Sequence, residues 1–413
     1  MFRLMALALT LSLLACGSGD REPAALKKTQ TTVDWRLLVQ LPDVELPVRL
    51  HLAEDGSEAW LINGSEKVEI SDISREGDGW RLYLPAFNNT LVLRQADGIL
   101  EGSLTLVKRG YEQVMPVRGE PYPGYRFTPN PEPLSDFTGR WEVTFVTDEG
   151  KETASIGEFD QQGGKVTGTF LNATGDYRFL AGEVHADKMY LSTMDGAHAF
   201  VFTATMLADG SLKGDFWSGT RWHESWTAKR NFKASLPDAF SLTYPKQGYD
   251  RIEFSFPDLQ GQPLALADDK FRDKVVLVTL SGSWCPNCAD EMEFLADYYR
   301  ANRDRGLEII TLLYEHFEEF EAAAQQGRAL KAKHGVDYDI LVAGISDKTM
   351  AAETLPMLNK VLAFPTMIFI DRKGDVRRIH TGFSGPGTGR HYQEFVEEFN
   401  ALMETLLTES WGP

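Results

Sequence analysis

Two cysteines separated by two residues, Cys285 and Cys288, are the side chains of this sequence best suited to chemistry. They lie in the stretch Ser-Trp-Cys-Pro-Asn-Cys-Ala-Asp-Glu (283–291), directly after an apolar run at 275–280. The 413-residue chain contains one other cysteine, Cys16. A pair with this spacing can be a structural disulfide, part of a metal site, a haem attachment or a redox-active dithiol.

The surrounding sequence argues against three of these four possibilities. A zinc site needs about four ligands, and none of the eight histidines forms a His-x3–5-His pair. Haem attachment requires a histidine directly after the second cysteine, where this chain has Ala289. A disulfide across so short a loop constrains the unfolded chain very little. The pattern therefore favours a redox-active dithiol, with no metal and no other cofactor expected.

The elements around the pair are typical of an α/β domain. The continuous apolar run at 275–280 predicts a buried strand, and residues 289–299 have helical spacing. Further strands are predicted at 307–314, 339–343, 366–371 and 376–382, the last two forming a hairpin across Arg-Lys-Gly-Asp (372–375), with helices at 318–334 and 391–407. This alternation indicates an α/β domain over residues 251–413, with a largely parallel sheet.

Cys285 is predicted at the carboxyl end of the first strand, with a helix beginning at or just after it. The N-terminus of a helix stabilises negative charge, which lowers the pKa of a thiol placed there. Because the thiolate is the nucleophile, we expect Cys285 to attack a disulfide. Cys288, one turn into the helix, is expected to be more buried and to resolve the mixed disulfide.

A second motif makes the sequence resemble the thioredoxin superfamily. Trp-Cys-Pro-Asn-Cys (284–288) lies on the predicted strand-to-helix turn, and Phe-Pro-Thr (364–366) opens a later strand. Combined with the leader described below, this is similar to the extracytoplasmic thiol-disulfide oxidoreductases of the TlpA/ResA type. The resemblance covers about residues 245–413 and implies a thioredoxin-like fold there.

The resemblance implies a role for each residue of the two motifs. Cys285 matches the attacking cysteine and Cys288 the resolving one, so the resemblance implies a redox disulfide between them. Pro365 matches a loop proline that is cis in this superfamily and lies against the disulfide, beside backbone that pairs with a substrate strand. The supporting positions are Trp284, Pro286, Phe364 and Thr366.

Other positions have two interpretations each. Glu291 matches a buried acid that tunes the thiols in part of the family, but a solvated glutamate favoured by the helix dipole is equally compatible. Trp284 covers the motif in relatives, and simple core packing also explains it. Leu280 and Ser281 replace an aromatic pair that many relatives carry, which should change packing rather than chemistry. The acidic stretch 315–325 is expected to be a solvated helix start.

The implied activity is that of a thiol-disulfide oxidoreductase of the protein-disulfide reductase type. Its expected partners are disulfide-containing extracytoplasmic proteins and a membrane electron donor or acceptor, with cytochrome c biogenesis among the processes served. One alternative is a scaffold lipoprotein whose β modules bind a ligand or partner. Another is a peroxiredoxin-like peroxide reductase, although Gly282 stands where those enzymes normally have Thr or Ser. A formal net charge of −18 argues against nucleic acid as a partner.

The first residues have the features of an export signal. Arg3, the apolar stretch 4–14 and Leu-Leu-Ala-Cys (13–16) resemble a bacterial lipoprotein signal. Residues 1–15 are then the signal peptide, Cys16 the lipid-bearing residue, and 16–32 a tether. An ordinary secretory peptide is the alternative, and the stretch is shorter than the ~20 residues that span a bilayer. The chain is expected to be lipid-anchored in the bacterial cell envelope, facing the periplasm or extracytoplasmic space, with the choice of inner or outer membrane open.

The region between the tether and the α/β domain has a different pattern. Apolar residues recur there with a period of two between turn sequences, which predicts antiparallel strands in one or two small barrel or sandwich modules. A Pro-rich stretch at 121–133 divides the region. The predicted units are module 1 (33–130), module 2 (131–234) and a linker (235–250). A shared Ala-Asp-Gly-x-Leu-x-Gly core at 96–102 and 208–214 indicates either an internal duplication or a generic hairpin.

Overall fold

The computed structural model describes residues 32–410. Cys16, the predicted signal peptide and all but the last residue of the predicted tether lie outside the described residues. Within 32–410, no helix is both long enough and apolar enough to cross a bilayer. The predicted fold class is confirmed: an all-β region precedes an α/β domain.

Module 1 is a nine-stranded antiparallel sheet. Its strands are β1 (Thr32–Gln40), β2 (Glu45–Ala53), β3 (Ala59–Asn63), β4 (Glu66–Glu69), β5 (Asp72–Glu76), β6 (Gly79–Leu84), β7 (Asn89–Ala96), β8 (Ile99–Lys108) and β9 (Tyr111–Pro121). Their spatial order is β4-β3-β2-β1-β9-β8-β7-β6-β5. The period of two places Val48 and Leu50 in the core at 0% exposure, while Arg49 between them points outward to an ion pair with Asp34.

Module 2 is a closed antiparallel barrel. Its strands are β10 (Gly139–Thr147), β11 (Glu152–Gln162), β12 (Lys165–Asn172), β13 (Gly175–Asp176), β14 (Leu180–His185), β15 (Lys188–Met194), β16 (Ala199–Met206), β17 (Leu212–Ser218) and β18 (Trp222–Arg230). They follow the order β11-β10-β18-β17-β16-β15-β14-β12-β13, and β11 also pairs with β12, which closes the sheet. The barrel is filled by aromatic side chains such as Trp141, Phe170 and Trp226, all 0% exposed.

The two Ala-Asp-Gly motifs lie at equivalent places in the two modules. The first forms the turn between β7 and β8, and the second forms the turn between β16 and β17. In each module one strand follows this hairpin, and this last strand pairs with the first strand of the module: β9 pairs with β1, and β18 pairs with β10. This equivalence favours internal duplication.

The Pro-rich stretch between the modules carries a buried arginine. Arg126 is 7% exposed and donates hydrogen bonds to the Pro47 and Ile62 carbonyls and the Asn63 side chain of module 1. It also donates to the Ser192 hydroxyl of module 2 at 2.7 Å. One side chain therefore joins the two modules.

The α/β domain contains the predicted strands and helices, one further helix and one further pair of short strands. Its elements are β19 (Ser255–Pro257), β20 (Pro263–Ala265), β21 (Val275–Ser281), α1 (Pro286–Asn302), β22 (Leu307–Glu315), α2 (Phe320–His334), β23 (Asp339–Ile345), α3 (Lys348–Thr354), β24 (Thr366–Ile370), β25 (Val376–Thr381) and α4 (Arg390–Thr408). The sequence did not predict α3, whose seven residues are too few for a clear helical period. Asp347 caps it by accepting the amides of Thr349 and Met350.

The central sheet of this domain corrects one expectation. Its order is β23-β22-β21-β24-β25, with two parallel pairings and two antiparallel ones, so the prediction of a largely parallel sheet is wrong. The short turn between β24 and β25 can join only antiparallel strands, as the predicted hairpin requires, and β24 also runs antiparallel to β21, which the alternation of strands and helices did not predict. β21 lies at the centre, and all seven of its residues are buried.

Candidate redox site

The cysteine pair lies where the central strand β21 gives way to helix α1. Cys285 is the N-cap of α1, and its Sγ accepts the backbone amide of Cys288 at 3.2 Å. Pro286 occupies the first helical position, where its missing amide costs no hydrogen bond. The two cysteines form a disulfide, with Cys285 7% and Cys288 1% exposed. Cys285 thus lies at a helix N-terminus, as predicted. Cys288 is also more deeply buried than Cys285, as predicted.

The Phe-Pro-Thr motif lies directly beside the disulfide. The Phe364–Pro365 peptide bond is cis, and Cys285 Sγ is 3.6 Å from the Phe364 carbonyl oxygen. Thr366 begins β24, which pairs with β21 and so brings a segment about eighty residues away in sequence against the cysteines. The Pro365 carbonyl accepts the amide of Gly382 at 2.9 Å.

Trp284 packs against Tyr314, His316 and Phe364. Its indole Nε1 donates to the Tyr314 carbonyl at 2.8 Å, and its ring stacks on His316 with centroids 5.2 Å apart. The Phe364 ring meets it edge-on at 5.6 Å. These contacts support the packing interpretation, and a covering role for Trp284 stays a prediction.

Glu291 is buried in the first turns of α1. It is 1% exposed, and its Oε1 has no hydrogen-bond partner among residues 32–410. Burial raises the pKa of this carboxyl well above its ordinary value. The solvated alternative for Glu291 is therefore wrong, because the helix face that carries it packs into the domain core.

Glu315 is a site residue that the sequence did not reveal. The stretch beginning at 315 was expected to be a solvated helix start, but Glu315 is the last residue of β22 and is 1% exposed. Its carboxyl accepts the Ser283 backbone amide at 2.7 Å and the Ser283 hydroxyl at 2.8 Å. Burial raises the pKa of Glu315 to about 7. Glu315 thus fixes the turn that leads into Trp284 and Cys285.

Replacing Glu315 with Gln is expected to change how stability depends on pH. Because burial raises the pKa of Glu315 from 4.5 to about 7, the folded state holds this proton more tightly than the unfolded state. The free energy of unfolding of the wild type should therefore fall as pH rises between these values. Relative to the Glu315→Gln variant, the fall should total about 3 kcal/mol. Urea denaturation of both oxidised proteins at pH 4.5 and 8 measures it, and parallel pH dependences would contradict it.

Side chains of module 2 also touch the cysteine motif. Arg178 Nη1 donates to the Pro286 carbonyl at 3.2 Å, and Arg178 forms an ion pair with Asp290. Burial raises the pKa of Asp290 to about 7, against the lowering effect of Arg178. The Asn287 side-chain amide donates to the Asp176 carbonyl at 3.3 Å. Sequence patterns contain no signal for these contacts, because they join residues more than one hundred positions apart.

The described residues hold no cluster of three or more side chains suited to a metal ion. The site itself combines the disulfide, the helix N-terminus and the buried acids. Each can act on sulfur: the helix N-terminus stabilises a thiolate, and a buried acid can give or take the proton of a thiol.

Part of this chain is similar to known proteins. A family model described as the AhpC/TSA family matches residues 248–379. Thiol-disulfide oxidoreductase ResA of Bacillus thuringiensis subsp. konkukian is 34% identical over 152 residues, which is 37% of this chain and 77% of that protein. ResA of Halalkalibacterium halodurans is 24% identical over 159 residues, covering 38% and 78%. A solved thiol:disulfide interchange protein of the thioredoxin family from Chlorobium tepidum TLS has a TM-score of 0.30 and 18% identity, over 40% of this chain and 97% of that one.

Proposed function

This chain belongs to the ResA family of thiol-disulfide oxidoreductases, its α/β domain being thioredoxin-like, and we propose that its Cys285–Cys288 pair reduces or exchanges disulfides in extracytoplasmic proteins. One observation carries this proposal. Cys285 caps helix α1 and its sulfur accepts an amide hydrogen there, beside the cis-proline loop, while Cys288 lies buried one turn further on.

The proposed reaction begins with the reduced pair. The Cys285 thiolate attacks one sulfur of the partner's disulfide, that disulfide breaks, and the departing sulfur leaves as a thiolate that takes up a proton. Cys288 then loses its proton and attacks Cys285 Sγ, which releases the second partner thiol and forms the Cys285–Cys288 disulfide. Two electrons pass to the partner, and a thiol donor at the membrane must reduce the pair for the next cycle.

We assign supporting roles to the residues around the pair. The amide of Cys288 stabilises the Cys285 thiolate through the hydrogen bond already made to Sγ. Glu291, one turn beyond Cys288 on the same face of α1, tunes the buried thiol and exchanges its proton. Trp284, Pro286, Phe364, Pro365 and Thr366 shape the surface on which the partner's chain would lie.

We also propose that a lipid on Cys16 holds the protein at the extracytoplasmic side of a bacterial membrane. The support is the leader sequence, with its positive start, short apolar stretch and Leu-Leu-Ala-Cys ending. An anchored enzyme would remain close to a membrane electron donor or acceptor.

An insulin-reduction assay on the full chain tests the proposed activity. We expect turnover with a thiol donor, and we expect Cys285→Ser to lower it on the order of 10³-fold or more, since the nucleophile is lost. Turnover that does not depend on Cys285 would support the scaffold alternative instead. Cysteine-dependent consumption of hydrogen peroxide that exceeds insulin reduction would support the peroxide reductase.

A further inference from the structure

The surface around the disulfide is covered by the chain itself. Cys285, Asn287 and Phe364 are 7%, 9% and 8% exposed, and Pro286 and Pro365 are buried. Disulfide exchange requires an incoming sulfur to reach Cys285 Sγ, and a protein partner must also bring its backbone alongside. The described arrangement leaves little room for such a partner.

Residues 174–178 of module 2, here called the cap segment, supply part of the cover. The Asp176 carbonyl accepts from the Asn287 side chain, and the Asp176 carboxylate accepts the backbone amide of Gly385 at 2.7 Å. Gly175 has φ of +145°, and a Cβ there would lie 2.5 Å from Asn287 Nδ2. The backbone at Gly175 therefore packs so closely against Asn287 of the cysteine motif that a larger side chain at 175 would require Asn287 to move.

The cap segment also reaches the loop that supports the cis-proline. A Cβ on Gly382 would lie 3.0 Å from the carbonyl carbon of Thr174, and the Gly382 amide donates to the Pro365 carbonyl. The cap segment thus extends from the start of α1 to the loop after β25.

Arg178 ties the cap segment to both neighbours. Its guanidinium donates to the Pro286 carbonyl and pairs with Asp290 on α1, and it pairs with Glu66 of module 1 at 2.5 Å. Asp195 of module 2 lies 3.7 Å from its Nε. With its side chain 11% exposed, Arg178 connects both β modules to the first turn of the redox helix.

Module 1 also contacts the α/β domain, through the turn between β8 and β9. Arg109 pairs with Asp347 at 3.0 Å. Burial, with Lys108 and Arg109 adding to the effect, lowers the pKa of His316, the stacking partner of Trp284, to about 4. This contact is polar and more exposed than the one at Arg178, because the Arg109 side chain is 44% exposed.

We propose that the two β modules form a substrate-selecting cap on the redox centre, and that Arg178 is the specificity-determining residue that holds it closed. The proposal rests on the proposed function and adds to it a substrate class. The closed form exchanges with small, flexible disulfides, and a protein disulfide reaches Cys285 only after the cap segment leaves α1.

The Arg178→Gln variant tests the proposed cap. Its rate of reduction of a protein disulfide is compared with its rate of reduction of a small disulfide. Removing one partner of a buried ion pair strongly weakens the state that contains it, so the rate of insulin reduction by the full-length variant should rise at least about tenfold. The rate with bis(2-hydroxyethyl) disulfide should change less than about threefold. Arg305→Gln is the matched control, because it breaks an exposed pair with Glu404 at the far end of α1 and should alter neither rate.

Alkylation of reduced Cys285 by a maleimide attached to a protein-sized polyethylene glycol tests the cap without any turnover, so this experiment is still informative if the insulin assay fails. Asp176→Ala, which removes the acceptor of the Gly385 amide and retains Arg178, serves as a second variant. In both variants alkylation should be faster at every pH, with an unchanged midpoint of the pH profile. A shifted midpoint with an unchanged limiting rate would show that Arg178 tunes the thiol and would overturn the cap. An unchanged ratio of insulin to small-disulfide rates in both variants would also overturn it.

Discussion

Cys288→Ser is expected to convert the protein into a covalent trap for its partners. Without the resolving thiol, the mixed disulfide formed by Cys285 has no internal route to release, so turnover should fall on the order of 10³-fold while the partner stays attached. Buried Cys288 is well placed for this experiment, since a serine hydroxyl replaces a thiol of similar size that is 1% exposed. Incubation with an extracytoplasmic extract, followed by non-reducing electrophoresis, should show adducts that a reducing agent removes.

Two controls define this result. Cys285→Ser should capture nothing, because Cys288 is enclosed by the helix and by the core of the α/β domain. Identical capture by the two single variants would argue against Cys285 as the nucleophile. Adding Arg178→Gln to Cys288→Ser should increase the yield of protein adducts if the cap limits access, and this links the trap to the cap.

Arg126→Ala is expected to destabilise the β region by about 3–5 kcal/mol. Burial lowers the pKa of Arg126 only to about 10, so the side chain is charged at neutral pH. Its loss removes the donors to the Pro47 and Ile62 carbonyls and leaves the Glu183 carboxylate without the nearby positive charge. Urea denaturation monitored by tryptophan fluorescence should show the loss as a lower midpoint.

The control for this change is Arg94→Ala, on an exposed position of β7. A surface substitution of this kind usually changes stability by no more than about 0.5 kcal/mol. A cost for Arg126→Ala as small as that of the control would mean that the modules hold together without the buried arginine.

Local patterns in the sequence predicted most of the α/β domain. The run at 275–280 became β21 (Val275–Ser281), and the helical spacing at 289–299 fell inside α1 (Pro286–Asn302). Such patterns work because strand and helix periods are properties of neighbouring residues. Local patterns did not predict the burial of Glu315. A buried acid at the end of a strand and a solvated acid at the start of a helix have the same local sequence pattern, because burial depends on residues distant in sequence.

The mixed sheet shows a second limit. Alternating strands and helices predicted parallel pairing, and the pairing of β24 with β21 reversed that for half of the sheet. Strand direction depends on the path of the connection through space, which composition does not encode. The same is true of β18, the last strand of module 2, which pairs with the first strand, β10, and so closes the barrel.

Sequence patterns alone predicted the chemistry that we propose for this protein. Two thiols three residues apart, at a strand-to-helix turn and followed by a Phe-Pro-Thr motif, predict a dithiol with an attacking and a resolving cysteine, because each feature lies within one or two short stretches of chain. The environment of that dithiol became visible only in the tertiary structure. The burial of Glu291 and Glu315 and the contacts of Arg178 with Pro286, Asp290 and Glu66 come from segments far apart in sequence, and their energies depend on desolvation and charge pairing that exist only once those segments meet.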